Sequence, residues 1–255
     1  MILHATGAGQ GAPLVLLHGL FGAARNFGMV QRQLARSRRV IALDLRNHGA
    51  SPHDADMRYA TMANDVLETL AELNALPATL LGHSMGGKVA MQAALSHGDA
   101  IVRLIVADIA PVAYPPRQRT IAAAMASLPL SSGMSRSAAD AALSRAVPDA
   151  AVRAFLLQNL RLGAAPAWRI GLADIAAALP VIEGWDPPLD ARYDGPTLFI
   201  AGAASDYIRP DHRPAIRALF PAARFVTLKN AGHWLHAENP DGFVGVVEAF
   251  LTAAG

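Results

Sequence analysis

The chain has 255 residues, 53% of them hydrophobic and 16% charged, which is enough for one large core and too apolar for a disordered protein. Its 22 Lys and Arg against 20 Asp and Glu leave a charge of +2 with no run of like sign, which argues against a nucleic-acid partner. Cysteine is absent, removing disulfides, thiolate metal sites and a cysteine nucleophile, and no signal peptide or membrane-length apolar run occurs, so a cytoplasmic protein without a membrane partner is expected.

Residues 2–6 read as a short strand, ended by a Gly-rich and Pro-containing turn over 7–13. Leu14-Val15-Leu16-Leu17 is a continuous apolar run, the pattern of a parallel strand covered on both faces. It ends in His18-Gly19-Leu20-Phe21-Gly22, a glycine turn where an open α/β sheet builds its ligand site. The Leu20 amide is the expected oxyanion donor there, and His18 is read as structural. A helix is expected over 26–37 and a buried strand over 40–43, followed by the polar turn Asp44-Leu45-Arg46-Asn47-His48-Gly49-Ala50-Ser51-Pro52, also read as structural. Met62, Val66, Leu67, Leu70 and Leu73 then recur at helical spacing within 59–74, and Pro77 stops that helix.

The apolar run at 78–81 leads into Gly82-His83-Ser84-Met85-Gly86-Gly87, and a helix is expected over 88–97. A G-x-S-x-G between a strand and a helix is a nucleophile elbow, a turn so tight that the serine takes a strained backbone and its hydroxyl stands clear of the sheet. The serine also sits at a helix N-terminus, where the Met85 amide is free to stabilise an oxyanion.

A further strand over 103–107 closes on Asp108-Ile109-Ala110-Pro111, and the alternation of strands and helices predicts a mostly parallel sheet flanked by helices. From 115 to about 188 no strand-like run is expected. Helices are predicted over 117–127, 137–145, 150–162 and 168–179, with a break at Pro180. Residues 112–186 are thus expected to form an inserted helical lid on a core made of 1–111 and 187–255. Sheet character returns at 196–201, a helix follows over 211–220, a last strand over 224–228, and an apolar-faced helix over 243–251.

Each polar residue of interest follows a predicted strand, so the fold collects them on one rim. Ser84 needs a base, and His233 in Gly232-His233-Trp234-Leu235-His236 is preferred over His236, which reads as the start of a helix. His4, His97 and His212 are read as terminal or surface positions. For the acid, Asp108 and Asp206 both satisfy the order Ser, Asp, His. The usual acid position, three residues after Gly202, holds Ser205, so Ser205 is expected to bond the imidazole while Asp108 supplies the charge, or Asp206 does so from one residue further on. No metal-ligand set is evident.

These motifs, with Ser205-Asp206-Tyr207-Ile208, resemble the α/β-hydrolase fold and within it the bacterial YbfF-type esterases. The resemblance runs over nearly the whole chain. It implies a helical lid over an apolar channel, hydrolysis of acyl esters and possible acyl-CoA thioesters, no cofactor, and Asp108 as the acid with Ser205 assisting. Phe21, Met85, Tyr114, Tyr207 and Trp234 are the expected channel wall. The expected function is a serine carboxylic-ester hydrolase acting on a small-molecule acyl ester. A C–C bond hydrolase or lyase on the same scaffold, and a non-catalytic binding module, are the alternatives, and the oligomeric state is open.

Overall fold

A computed structural model describes residues 1–253. Among them the strands are β1 (Ala5–Ala8), β2 (Pro13–Leu17), β3 (Arg39–Leu43), β4 (Ala78–His83), β5 (Ile101–Ala107), β6 (Leu160–Arg161), β7 (Ala167–Trp168), β8 (Thr197–Gly202) and β9 (Ala223–Leu228). The helices are α1 (Gly28–Leu34), α2 (Tyr59–Glu72), α3 (Met85–Ser96), α4 (Arg119–Ala126), α5 (Arg136–Leu143), α6 (Ala150–Leu157), α7 (Leu172–Glu183), α8 (Arg213–Leu219), α9 (Leu235–Glu238) and α10 (Pro240–Thr252).

One sheet runs β1-β3-β2-β4-β5-β8-β9, parallel throughout except for β1, which pairs antiparallel with β3 at the edge. The continuous apolar runs follow from burial on both faces. In β2, Val15 and Leu17 feed the layer that holds α2 and α3, while Leu14 and Leu16 feed the layer that holds α1 and α10. Successive strand residues alternate between the two layers, so neither face is left for polar side chains. Each fully buried Leu or Phe contributes roughly 2–3 kcal/mol of transfer free energy, which fixes strand register, because a one-residue slip would exchange the layers.

Three expectations need correction. The first strand covers Ala5–Ala8, including Gly7, because Ala5 to Ala8 pair with Leu43 to Val40. The segment expected to hold no strand contains a two-residue antiparallel pair, β6 with β7, which joins α6 to α7. Pro180 does not end its helix, which continues to Glu183. The carbonyls at that end are held from outside the helix: the Tyr59 hydroxyl donates to Ile182 O at 2.6 Å, and Lys88 Nζ donates to Gly184 O at 2.5 Å, with the Glu183 and Ile182 carbonyls at 3.3 and 3.5 Å.

Candidate active site

The elbow is built by close approach. A Cβ on Gly82 would overlap the Gly86 carbonyl, and one on Gly86 would overlap the Leu17 carbonyl of β2, so neither position accepts a side chain. Ser84 sits between them at φ 52° and ψ −120°, a conformation an L-residue adopts only under constraint. Its own amide donates to Ala107 O at 3.0 Å, and its carbonyl accepts from Gly87 N at 2.8 Å. The Met85 amide at the start of α3 makes no hydrogen bond among the described residues.

Beside it, Gly22 N donates to Gly19 O at 3.0 Å, closing a turn in which Phe21 has φ 60°. A positive φ at the third residue alone marks a type II turn with Leu20 second. Phe21 N donates to His48 Nε2 at 3.1 Å, whereas the Leu20 amide makes no hydrogen bond among the described residues. A Cβ on Gly19 would lie 3.2 Å from the Ser84 Cβ, so this turn rests directly on the serine. His18 and His48 are buried braces. Burial pulls His18 down to about 4 and His48 to about 3, so both are neutral at pH 7. His18 Nδ1 donates to Gly19 O at 2.8 Å and its Nε2 accepts from Leu45 N at 3.0 Å. His48 Nδ1 donates to Arg46 O at 2.8 Å, which makes its Nε2 the acceptor that Phe21 uses.

His233 Nδ1 donates to Asp108 Oδ2 at 2.8 Å, and the Ser84 hydroxyl donates to His233 Nε2 at 3.1 Å. A carboxylate can only accept, and this sets the tautomer. Asp108 is fully buried and accepts from Gly202 N at 3.0 Å on Oδ1. Ser205 does not take the expected bond to the imidazole; its hydroxyl donates to Asp108 Oδ2. Asp206 is turned outward, where Arg117 donates to both its oxygens at 3.1 and 2.9 Å and holds its carboxyl below the usual range. The physical reason is the turn after β8, closed by Ser205 N to Gly202 O at 3.1 Å, which aims residue 205 at the sheet and residue 206 away.

The imidazole is held on several sides. Tyr207 stacks on it with centroids 4.0 Å apart, His83 Nε2 donates to the His233 carbonyl at 2.8 Å, and the Glu238 carboxylate accepts from Gly232 N at 2.7 Å and Trp234 N at 3.1 Å. His236 lies at α9 with its ring 4.7 Å from both Phe27 and His83, pulled down to about 4 by burial, and makes no bond to Ser84. His212, expected at the surface, is buried against Tyr114.

Two cavities flank Ser84. The larger, about 210 Å³, is lined by Phe21, Tyr207 and Trp234, as expected of a channel wall, and by Ile121, Val152 and Phe155 from α4 and α6. Tyr114 and Met85 do not line it; they line a second cavity of about 50 Å³ on the other side of the serine, together with Lys88. Sequence reasoning missed Lys88, although a lysine in the otherwise apolar first half of α3 was the available signal. It is 1% exposed, pulled down to about 7 by burial against the opposing pull of Glu183. Among the described residues no cluster of three or more metal-ligating side chains occurs, and no helix is long and apolar enough to cross a membrane.

Residues 12–240 match the family described as alpha/beta hydrolase fold. The chain belongs to that family. This α/β-hydrolase is 41% identical over 247 residues to the sn-1-specific diacylglycerol lipase ABHD11 of Mus musculus, covering 93% of this chain and 80% of that one. It is 37% identical over 241 residues to the esterase YbfF of Escherichia coli (strain K12), covering 94% and 93%. Among solved structures, a marine microorganism esterase superposes on the α/β-hydrolase with a TM-score of 0.94 at 36% identity, covering 98% and 99%.

Proposed function

We propose that this α/β-hydrolase is a serine carboxylic-ester hydrolase that acts through an acyl-enzyme on apolar acyl groups, thioesters included. The observation that carries the proposal is the unbroken hydrogen-bond chain from Asp108 through His233 to Ser84, beside two unused amides at Leu20 and Met85. Ser84 Oγ attacks the acyl carbonyl while its proton passes to His233 Nε2. The amides of Leu20 and Met85 receive the oxyanion, each contributing about 3–4 kcal/mol to the transition state. Collapse expels the alcohol or thiol, which takes the proton from His233, and water then repeats the sequence on the acyl-enzyme. Asp108 keeps the imidazole in the required tautomer, and Ser205 and the Gly202 amide keep Asp108 aimed.

The helical insertion acts as the lid, since α4 and α6 supply apolar side chains to the larger cavity. Similarity to a lipase and an esterase supports an acyl-ester substrate. The test is hydrolysis of a p-nitrophenyl ester series, acetyl to long acyl, by wild type and Ser84→Ala. Turnover with a chain-length preference that Ser84→Ala abolishes is expected. An inactive wild type across the series overturns the ester reading, and carbon–carbon substrates become the next to try.

A further inference from the structure

Both backbone polar groups of Phe21, the third residue of the oxyanion turn, are gripped by side chains from elsewhere in the chain. Phe21 donates its amide to His48 Nε2, and its carbonyl accepts from Asn159 Nδ2 at 2.6 Å. His48 belongs to the core. Asn159 is 1% exposed and comes from the insertion, between α6 and β6, 138 residues away in sequence. Its Oδ1 accepts from the Arg25 guanidinium at 3.2 Å. A guanidinium only donates, so this contact fixes which way the amide faces and turns Nδ2 onto the Phe21 carbonyl. The grip matters because Phe21 stands at φ 60°, a left-handed conformation that a bulky residue keeps only when its surroundings impose it. If Phe21 relaxes, the turn that presents the Leu20 amide to Ser84 opens with it.

We propose that Asn159 is a positioning residue for the oxyanion turn, so that docking of the insertion over the cavity and alignment of the Leu20 donor are a single event. The insertion then does more than supply an apolar wall. With it displaced, the Phe21 carbonyl loses its partner and His48 is the one side chain left gripping Phe21 besides the turn's own Gly22–Gly19 bond, so the serine is exposed to water while its oxyanion donor is misaligned. Acyl transfer is thereby confined to the covered state, in the manner of a closure that completes the catalytic constellation.

The proposal rests on the acyl-enzyme reading, and its test is read separately from that reading. Two ketones are compared: an aliphatic trifluoromethyl ketone, to which Ser84 adds to give a hemiketal oxyanion, and its methyl ketone congener, which fills the cavity without that addition. In Asn159→Leu, near in volume but without a donor, kcat on p-nitrophenyl butyrate is expected to fall about ten- to a hundredfold with KM little changed. The trifluoromethyl ketone should weaken by the same factor while the methyl ketone binds as before. Arg25→Met, at an exposed position, frees Oδ1 and should give the same pattern at about three- to tenfold, which keeps the test available if Asn159→Leu does not fold. Wild-type behaviour of both variants overturns the proposal. So does a loss of kcat accompanied by an equal loss of methyl ketone binding, which means a distorted cavity. A wild type that binds the two ketones alike overturns the acyl-enzyme reading itself and this proposal with it.

Discussion

The Ser205 hydroxyl and the His233 imidazole converge on the same oxygen, Oδ2 of Asp108. A carboxylate with three donors around it is held in one orientation, and Ser205 and the Gly202 amide act on His233 through it. Asp108→Asn is expected to lower kcat by about a thousand- to ten-thousandfold, because an amide at this position favours the wrong imidazole tautomer. Ser205→Ala, which removes one charge-assisted bond, should cost about tenfold. Asp206→Asn should stay within about twofold, since that carboxylate is exposed and pairs with Arg117. Steady-state kinetics of the three variants on one p-nitrophenyl ester check the order, and a large loss in Asp206→Asn would reverse the assignment of the acid.

Leu20 occupies the second position of a type II turn, a place where proline is favoured. Leu20→Pro therefore deletes the N–H proposed to receive the oxyanion without opposing the turn. It should fold, with a melting temperature near that of wild type, and lose about a hundred- to a thousandfold in kcat.

Four buried histidines make the protein acid-sensitive. Burial pulls His18 and His236 to about 4, His48 to about 3 and His83 well below its ordinary value, whereas each titrates near 6.5 in the unfolded chain. Below pH 6.5 the unfolded chain takes up protons that the folded one refuses until about pH 4. The histidine contribution to stability is thus complete above pH 6.5 and falls through that window, by about 1.4 kcal/mol per pH unit for each histidine. Urea unfolding at pH 7, 6 and 5 measures the slope, and His48→Gln should reduce it by one proton.

Lys88 ties α3 to the end of α7. Lys88→Met leaves the carbonyls of Ile182, Glu183 and Gly184 without the ammonium and should destabilise the fold by about 2–4 kcal/mol. The ammonium titrates at about 7 in the folded chain and near 10.5 when unfolded, so between these values the unfolded chain holds the extra proton. Wild-type stability therefore rises over that range, and the gap to Lys88→Met, read by denaturant unfolding, should widen from pH 7 to pH 9.

The sheet was legible because strands buried on both faces appear as unbroken apolar runs, as at Leu14 to Leu17, and the elbow because its glycines serve a close approach that few other sequences require. The choice between Asp108 and Asp206 was not legible from the residues, since it depends on which way one turn after β8 points. β6 and β7 are two residues each and carry no periodicity. Lys88 and Asn159 act through contacts 95 and 138 residues away, which no local pattern encodes. Pro180 misled because its effect on a helix end is offset by side chains from α2 and α3.

The strands that bracket the insertion, β5 and β8, are neighbours in the sheet, paired from Leu104 with Thr197 to Ala107 with Ile200. Two adjacent parallel strands need only about a dozen residues of crossover, which α7 and the segment after it already supply. The stretch from α4 to β7, which carries Asn159, is therefore not needed to close the crossover and is expected to exchange as a cassette that brings its own apolar lining to the larger cavity. Any replacement would have to bring its own hydrogen-bond donor to the Phe21 carbonyl, so successful chimeras should be those that carry one.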